Sequence, residues 1–321
     1  MRLLITGATG FVGSNFPDLS QAQIDSFGVD LLPINRALPC HYSDGILQTD
    51  INDDDSWEVI NSWMPSHVIH LAGSQYTSPP QRKRLRTKVF SENIKLAESI
   101  SHLCKRVASI KHVTYVSTDM VYGKPSYSDV NESSPTLAIG PYGKSKLMAE
   151  DIIKSIPVPS AIVRPRLIIG PGRAGTIQTL GNAMRLGLPI PIIGDGENRY
   201  QMISVTDLWS AIIGLASKES NGIFNIGSEN PPTLNDLFPK LLHELGAKNK
   251  LLHLPRILTE SVLRLLDQCG ISPLAPEQYE IASLTCRLNT TKLKNEISWG
   301  AEDSDLEILI STLRPLLRSK F

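Results

Sequence analysis

The chain has 321 residues, and its 32 Lys and Arg residues balance its 32 Asp and Glu residues, so the formal net charge at pH 7 is zero. A chain without net charge has no overall field to attract nucleic acid or an anionic membrane surface, and we expect neither as a partner. Hydrophobic residues make up 41% and charged residues 20% of the chain, which is typical of a folded globular protein and excludes a largely disordered one.

The cysteines are scattered along the chain, and no two of them form a CxxC pair: Cys40, Cys104, Cys269 and Cys286. Zinc sites need clustered thiolate or imidazole ligands, so this spacing predicts no metal site and favours free thiols in a reducing compartment. The N-terminus reaches Gly7 too early for a signal peptide, and no apolar run approaches the roughly 18 residues of a membrane span. We therefore expect a cytoplasmic protein.

The first half of the chain alternates short apolar runs with longer periodic stretches. Residues 3–5, 68–71 and 112–116 read as buried strands, each followed by Gly, Ser, Thr or Asp. An amphipathic helix is predicted over 86–107, and another over 141–156, which begins at a proline. Strands that alternate with helices predict an α/β fold with a parallel sheet and right-handed crossovers.

The second half has a different character, because Gly and Pro interrupt short segments there. Helices are predicted again over 207–216, 234–245 and 256–266. We therefore expect a large N-terminal α/β domain over 1–165 and a smaller C-terminal part over 166–321, with some segments of the second part returning to the core of the first.

A glycine-rich turn follows the first predicted strand directly: Gly7-Ala8-Thr9-Gly10-Phe11-Val12-Gly13. A dinucleotide pyrophosphate needs a tight turn, close approach of the backbone and a helix N-terminus, and glycines supply the first two. Asp30 ends a plausible second strand, where a carboxylate accepts hydrogen bonds from the ribose hydroxyls and repels a 2′-phosphate. The combination favours NAD over NADP, although Arg36 in the same loop leaves NADP open.

Pro17 falls inside the helix that should follow the glycines. Proline removes a backbone hydrogen bond and clashes with the preceding turn, at a cost of about 3 kcal/mol. We therefore expect this helix to be short or kinked, with its first turn preserved.

Tyr142 and Lys146 lie four residues apart at the start of a predicted helix, so they share one face. A phenol with a pKa near ~10 is a poor base at neutral pH, and a neighbouring ammonium lowers that value. The hydroxyls of Ser117 and Thr118, at the end of the preceding strand, could bridge a substrate oxygen to the phenol. Taken singly, these features are also typical of a solvated helix face or a strand-end cap. Together they predict a proton-transfer site.

These residues resemble the extended short-chain dehydrogenase/reductase superfamily, particularly its nucleotide-sugar epimerase and dehydratase branch. The resemblance runs along nearly the whole chain and also includes these motifs: Asp50-Ile51, His70-Leu71-Ala72-Gly73, Asn93, Pro141 to Lys146, Arg164-Pro165, Gly170-Pro171-Gly172, Val205 to Leu208, Phe224 to Gly227 and Asn289 to Trp299. It implies a Rossmann-type doubly wound parallel sheet that binds NAD, and a smaller C-terminal α/β part that binds the substrate. It also implies a homodimer formed by the helices of Asn93 and Tyr142.

The resemblance assigns roles by position. Tyr142 would be the acid/base, Thr118 its hydroxyl partner, and Lys146 both its electrostatic partner and a ligand of the nicotinamide ribose. The other implied cofactor-binding positions are Gly7, Gly10, Phe11, Val12, Gly13, Asp30, Asp50, Ile51, Leu71, Ala72, Gly73, Asn93 and Pro165. The implied substrate-binding positions are Ser74, Thr118, Asp119, Arg166, Leu167 and Arg199.

Three departures from the pattern of this branch bear on the substrate. Sugar 4,6-dehydratases carry Asp-Glu after the threonine, whereas here Met120 follows Asp119 and removes the acid needed to expel the C6 hydroxyl. Leu167 stands where the nucleotide-sugar enzymes usually carry an asparagine, and the arginine before the late Val-x-Asp run is displaced to Arg199. Three arginines could still hold a pyrophosphate: Arg166, Arg173 and Arg199.

The sequence leaves three functions open. The first is an NAD-dependent epimerase that acts on a nucleotide sugar or similar polyol by hydride exchange with the nicotinamide. The second is a one-way NAD(P)-dependent ketoreductase or hydroxyl dehydrogenase with a less polar substrate. The third is a dinucleotide-binding regulator without turnover, against which the intact set of Thr118, Tyr142 and Lys146 argues.

Overall fold

The computed structural model describes residues 1–19, 24–30, 44–48, 54–75, 83–124, 129–173, 175–272 and 274–318. The strands in these ranges are β1 Arg2–Thr6, β2 Asp25–Asp30, β3 Ile46–Gln48, β4 His67–His70, β5 His112–Val116, β6 Asp129–Val130, β7 Ser160–Pro165, β8 Leu167–Ile169, β9 Ile190–Ile193, β10 Met202–Ser204, β11 Gly222–Ile226, β12 Leu251–Leu254 and β13 Arg287–Leu288. The helices are α1 Asp54–Trp63, α2 Lys83–Arg106, α3 Pro141–Lys154, α4 Thr176–Arg185, α5 Val205–Ser217, α6 Leu234–Leu245, α7 Arg256–Gln268, α8 Pro276–Tyr279, α9 Thr291–Ile297 and α10 Asp305–Arg318.

Seven strands form one parallel sheet in the order β11-β7-β5-β4-β1-β2-β3. Successive side chains of a strand point to opposite faces, and β1 shows both faces buried. Leu3 and Ile5 pack in a core cluster with α5, whereas Leu4 packs in a second cluster with α2 and α3. Helices therefore cover the sheet on both sides, which confirms the predicted doubly wound, Rossmann-like α/β fold.

The sequence patterns locate most of these elements closely. The three predicted strands correspond to β1, β4 and β5, and the two predicted helices to α2 and α3. Pro141 occupies the first turn of α3, where a missing N–H is tolerated, and α3 ends at Lys154, before Pro157. The helices predicted in the second half appear as α5, α6 and α7.

The helix after the glycine-rich turn is a single 3-10 turn over Gly13–Asn15. The helical turn ends before Pro17, as the proline predicts. Beside this turn, the Trp209 indole of α5 donates a hydrogen bond to the Val12 carbonyl at 2.9 Å, and the Trp209 and Phe16 rings meet edge to face at 4.9 Å. Helix α5, from the second half of the chain, thus packs against the glycine-rich turn of the first half.

Two small two-stranded sheets, β10-β8 and β12-β9, lie within the second half, and a third pairs its β13 with β6 of the first half. The second half's own core cluster joins α4, α6 and α10 through Ile177, Leu241 and Leu309. One segment, β11, pairs with β7 at the edge of the large sheet. Among the described residues, no helix is both long enough and apolar enough to cross a membrane.

Candidate active site

The glycine-rich turn lies at the carboxyl end of β1, in the middle of the large sheet. Gly7 has φ +74° and donates its N–H to the Val29 carbonyl at 2.9 Å. A Cβ at Gly7 would lie 2.8 Å from the Ala72 nitrogen, and one at Gly13 would lie 2.3 Å from the Gly7 carbonyl oxygen. The two glycines are therefore required by the close packing of the turn against its own backbone and against the loop after β4. A tight glycine turn at the carboxyl end of a parallel strand fits a dinucleotide pyrophosphate. Gly10, Phe11 and Val12 lie within the turn.

Asp30 is the last residue of β2. It lies next to the glycine-rich turn, because the Gly7 N–H donates a hydrogen bond to the carbonyl of Val29, the residue before Asp30. Only its backbone is described. Asp50 and Ile51 lie outside the described residues, so their predicted contact with the adenine stays a prediction.

The loop after β4 runs directly beside the turn. The Leu71 N–H donates to the Thr6 carbonyl at 3.2 Å, and the Thr6 hydroxyl is 2.7 Å from Nδ1 of His70. The predicted cofactor positions Leu71, Ala72 and Gly73 thus lie next to β1, and the Cβ position of Gly73 is 3.7 Å from Nζ of Lys146.

Asn93 of α2 ties this loop to α3. Its Oδ1 accepts a hydrogen bond from the Ser74 N–H at 2.7 Å, and its Nδ2 donates to the Ser74 carbonyl at 3.1 Å. Nδ2 also donates to the Ser145 hydroxyl at 2.9 Å, which in turn donates to the Tyr142 carbonyl at 2.7 Å. One amide side chain therefore fixes the loop relative to the helix that carries Tyr142 and Lys146.

The Tyr142 phenol is buried, and its oxygen accepts a hydrogen bond from Nε2 of Gln75 at 2.9 Å. Burial is the main cause that raises the pKa of Tyr142 above its usual value, while the Gln75 hydrogen bond and the charge of Arg173 act in the opposite direction. Two carboxylates, Asp119 and Glu277, raise it further. Tyr142 is therefore a protonated phenol at neutral pH and can act as an acid or hydrogen-bond donor.

Lys146 lies one turn further along α3 and is also buried. Its Nζ donates a hydrogen bond to the Val116 carbonyl at 2.7 Å and lies 4.2 Å from the centre of the Tyr115 ring. Burial lowers the pKa of Lys146 to about 7, and the charge of Glu150 acts in the opposite direction.

Thr118 and Asp119 follow β5. Asp119 pairs with Arg166, the residue that follows the neighbouring strand β7. The Thr118 hydroxyl accepts a hydrogen bond from the Met120 N–H at 3.3 Å and donates to Oδ1 of Asp119 at 3.4 Å. Oδ2 of Asp119 accepts from Nη1 of Arg166 at 2.6 Å, and the Arg166 guanidinium lies 4.7 Å from the Tyr200 ring centre. Asp119 and Arg166, both predicted to bind the substrate, therefore form a buried ion pair with each other.

The remaining predicted positions lie further apart. Pro165 ends β7, paired with Ile226 of β11. Leu167 packs against the core cluster of α4, α6 and α10. Arg199 is exposed, and its Nη1 donates to the Pro231 carbonyl at 2.7 Å. The structure thus brings together Ser74, Thr118, Asp119, Tyr142, Lys146 and Arg166, but not Leu167 and Arg199.

Two residues of this region are absent from the sequence-based set. Gln75, the partner of the Tyr142 phenol, directly follows the predicted position Ser74. Glu150 is fully buried and follows Lys146 by four residues on α3, so helical spacing alone could have indicated it. Its contacts with Arg164 and Ser117 come from other elements and have no signal in the local sequence.

Comparison with known proteins agrees with this geometry. Residues 3–227 match the family model described as the NAD dependent epimerase/dehydratase family. The chain is 25% identical to the UDP-glucose 4-epimerase of Mycolicibacterium smegmatis, over 80% of this chain and 87% of that protein. It is also 28% identical to the uncharacterized protein y4nG of Sinorhizobium fredii, over 63% of this chain but only 52% of that protein.

A solved structure resembles the whole chain. The UDP-glucose 4-epimerase of Thermotoga maritima, determined with UDP-glucose, has a TM-score of 0.76 and 25% sequence identity. The match covers 98% of this chain and 97% of that one.

Proposed function

The chain belongs to the NAD dependent epimerase/dehydratase family, and on that premise we propose that it is an NAD-dependent epimerase of a nucleotide sugar. The observation that carries the proposal is the buried Tyr142 phenol, which accepts a hydrogen bond from Gln75 and lies one helical turn from Lys146 on α3. A ligand of an open parallel sheet binds at the carboxyl edge of the sheet. The similarity to two proteins named UDP-glucose 4-epimerase supports a UDP-sugar as the substrate class.

The residues divide the work between binding and proton transfer. Gly7, Gly10 and Gly13 receive the pyrophosphate, and the Asp30 carboxylate binds the adenosine ribose, which favours NAD over NADP. NAD supplies the hydride acceptor and donor. Tyr142 holds or releases the proton of the substrate hydroxyl, and Thr118 bridges the two oxygens. Lys146 binds the nicotinamide ribose, and its ammonium favours the phenolate against the burial that raises the pKa of Tyr142.

An epimerase fits this chain better than a dehydratase. Removal of a C6 hydroxyl needs a second acid next to the sugar, and the position after Asp119 holds Met120, which cannot donate a proton. An epimerase returns its cofactor to the starting state, so one proton-transfer residue beside one cofactor is sufficient.

The assembly and location of the enzyme are part of the proposal. We propose a cytoplasmic homodimer that packs α2 and α3 of each subunit together, with residues 1–165 as the cofactor domain and 166–321 as the substrate part. The support for the dimer is the resemblance noted from the sequence, and light scattering at micromolar protein tests it. A particle of one chain mass, 35.3 kDa, would contradict the dimer.

The test of the function is turnover of UDP-glucose and UDP-galactose by the purified protein with NAD. Product should form without a matching amount of NADH, whereas a one-way dehydrogenase would release NADH in proportion. Replacement Tyr142→Phe should lower kcat by about 10²–10⁴-fold and leave NAD affinity unchanged within a few-fold.

Tyr122→Phe is the matched control, because its buried phenol bonds Arg164 and Asn225 and lies outside the proposed reaction site. It should keep its kcat. Wild-type turnover in the Tyr142→Phe variant would refute the assigned acid/base.

A further inference from the structure

The charge of Lys146 depends on groups inside the protein. Lys146 is 4% exposed, its Nζ bonds the Val116 carbonyl at 2.7 Å, and an aromatic ring lies below it. Water therefore contributes little to keeping the ammonium charged, and burial lowers its pKa to about 7. Near neutral pH, a modest change in the surrounding field decides whether Lys146 carries a proton.

A buried carboxylate, Glu150, lies one helical turn from Lys146 on the same face of α3. Oε1 of Glu150 accepts hydrogen bonds from the Ser117 hydroxyl at 2.6 Å and from Nε of Arg164 at 2.9 Å. Oε2 accepts from Nη2 of Arg164 at 2.6 Å, and Nζ of Lys154 lies 4.0 Å away at the exposed end of the helix. A carboxylate accepts all of these hydrogen bonds, and the two from Arg164 form a bidentate pair.

The partner of Glu150 is itself fixed by the large sheet. Nη1 of Arg164, on β7, donates to the Tyr122 hydroxyl at 2.8 Å, and that hydroxyl donates to Oδ1 of Asn225, on β11, at 2.7 Å. The carboxylate is therefore positioned by Ser117, which follows β5, and by Arg164 of β7, whose own position is fixed through Tyr122 by Asn225 of β11.

The other titratable groups around Lys146 are neutral at pH 7 or already paired. Burial, and then the charge of Lys146, lowers the pKa of His70 on β4 to about 3. Burial raises the pKa of Tyr115 on β5 and of Tyr142 on α3. Arg164 is held by Glu150. Among the described residues, Glu150 is thus the charged group that raises the pKa of Lys146.

We propose that Glu150, held by Arg164 and Ser117, is a positioning residue that keeps the Lys146 ammonium charged. The inference rests on the proposed function only for the role of the Lys146 charge, which is to bind the nicotinamide ribose and to favour the Tyr142 phenolate.

The main variant is Glu150→Gln, which keeps the shape of the side chain and removes its charge. Because Glu150 raises the pKa of Lys146, its neutralisation should lower that pKa, by about two units for charges roughly 6 Å apart at an effective dielectric constant near 20. NAD affinity measured as a function of pH should weaken around pH 7 in the wild type and at a correspondingly lower pH in the variant. An unchanged midpoint would overturn the proposal.

A second measurement needs no cofactor. Lys146 has a lower pKa folded (about 7) than unfolded, where it is about 10.4, so the free energy of unfolding rises with pH between these values. After subtraction of the curve for Lys146→Met, this rise should begin near pH 7 in the wild type. In Glu150→Gln it should begin at lower pH, and a rise that begins at the same pH would overturn the proposal.

Two controls separate the charge effect from loss of structure. Tyr122→Phe loosens Arg164 but leaves the carboxylate, so it should lower stability without moving either midpoint. If Glu150→Gln does not fold because Arg164 is left unpaired, the variant Arg164→Gln gives the opposite test, since it leaves the Glu150 carboxylate without its compensating cation. It should move both midpoints to higher pH, and unchanged midpoints would overturn the proposal. A wild type that binds no NAD would refute the proposed function, while the unfolding curves would still decide the role of Glu150.

Discussion

Asp119 and Arg166 show how a single contact determines the character of the candidate substrate site. Their side chains are 8% and 3% exposed, and Nη1 lies 2.6 Å from Oδ2. Burial raises the pKa of the Asp119 carboxyl, and the Arg166 charge opposes this shift. Each charge is therefore stabilised by the other, and removal of one leaves an unpaired ion buried away from water.

Replacement of Arg166 by Leu should lower the free energy of unfolding by about 3–5 kcal/mol at pH 8, because the Asp119 carboxylate remains buried without its partner. A carboxyl whose folded pKa lies above its unfolded value of about 3.9 gains stability as the pH falls and it takes up a proton. The loss should therefore be smaller at pH 5. Urea unfolding at the two pH values measures both effects.

The double variant Asp119→Asn/Arg166→Leu carries no buried charge at this place and should recover most of the lost stability at pH 8. Equal destabilisation of the single variant at pH 5 and pH 8 would contradict the role given to the carboxylate.

At the scale of elements, α3 organises the candidate site. Tyr142, Ser145, Lys146 and Glu150 lie on its buried face, toward α2 and the sheet. Each meets a partner from a different element: Gln75 after β4, Asn93 on α2, the Val116 carbonyl on β5 and Arg164 on β7. The geometry of the site thus follows from how α3 docks rather than from the loops alone.

Asn93→Ala should loosen the loop after β4 from α3, because the amide makes two hydrogen bonds to Ser74 and one to Ser145. Loss of a buried polar partner costs about 1–3 kcal/mol, and NAD affinity should fall together with stability, since the loop flanks the glycine-rich turn. Calorimetric titration with NAD and chemical unfolding measure the two effects.

Asn249→Ala is the matched control for this prediction. Its side chain is buried and its amide donates to the carbonyls of Ala183 and Leu188, in the part of the chain around α4 rather than beside the glycine-rich turn. It should lower stability by a similar amount and leave NAD affinity unchanged. Equal loss of affinity in both variants would show that Asn93 acts through general stability.

Local patterns account for what the sequence predicts well. The strands, the glycine-rich turn and the Tyr142–Lys146 spacing each depend on residues a few positions apart, so periodicity and motif suffice. The Gln75–Tyr142 and Glu150–Arg164 contacts could not be predicted in this way, because they form only when β4, β7 and α3 assemble. Leu167 points to the same limit, since its packing against α4 and α10 is decided by tertiary contacts.

At the scale of the whole molecule, the large sheet draws on both halves of the chain. β11 extends the sheet beside β7. On one face, Leu208 and Ile212 of α5 pack in the same core cluster as Leu3 and Ile5 of β1. The N-terminal half alone would therefore expose one face of its central strands to water.

Residues 1–165 expressed alone should consequently lack a cooperative thermal transition and should bind a hydrophobic dye, because α5 and β11 are missing from the sheet. Circular dichroism melting and dye fluorescence, with the full chain as the control, measure this. A sharp transition in the fragment would show that the N-terminal part folds independently.

The contact between Trp209 and Val12 has a practical consequence. The indole N–H is bonded to a carbonyl inside the turn proposed to receive the cofactor, and the emission of an indole responds to its hydrogen bonding and to nearby dipoles. The protein therefore carries an intrinsic fluorescent reporter at that place. Titration with NAD should change the tryptophan signal without any label, and a Trp209→Phe variant would identify which of the four tryptophans produces it.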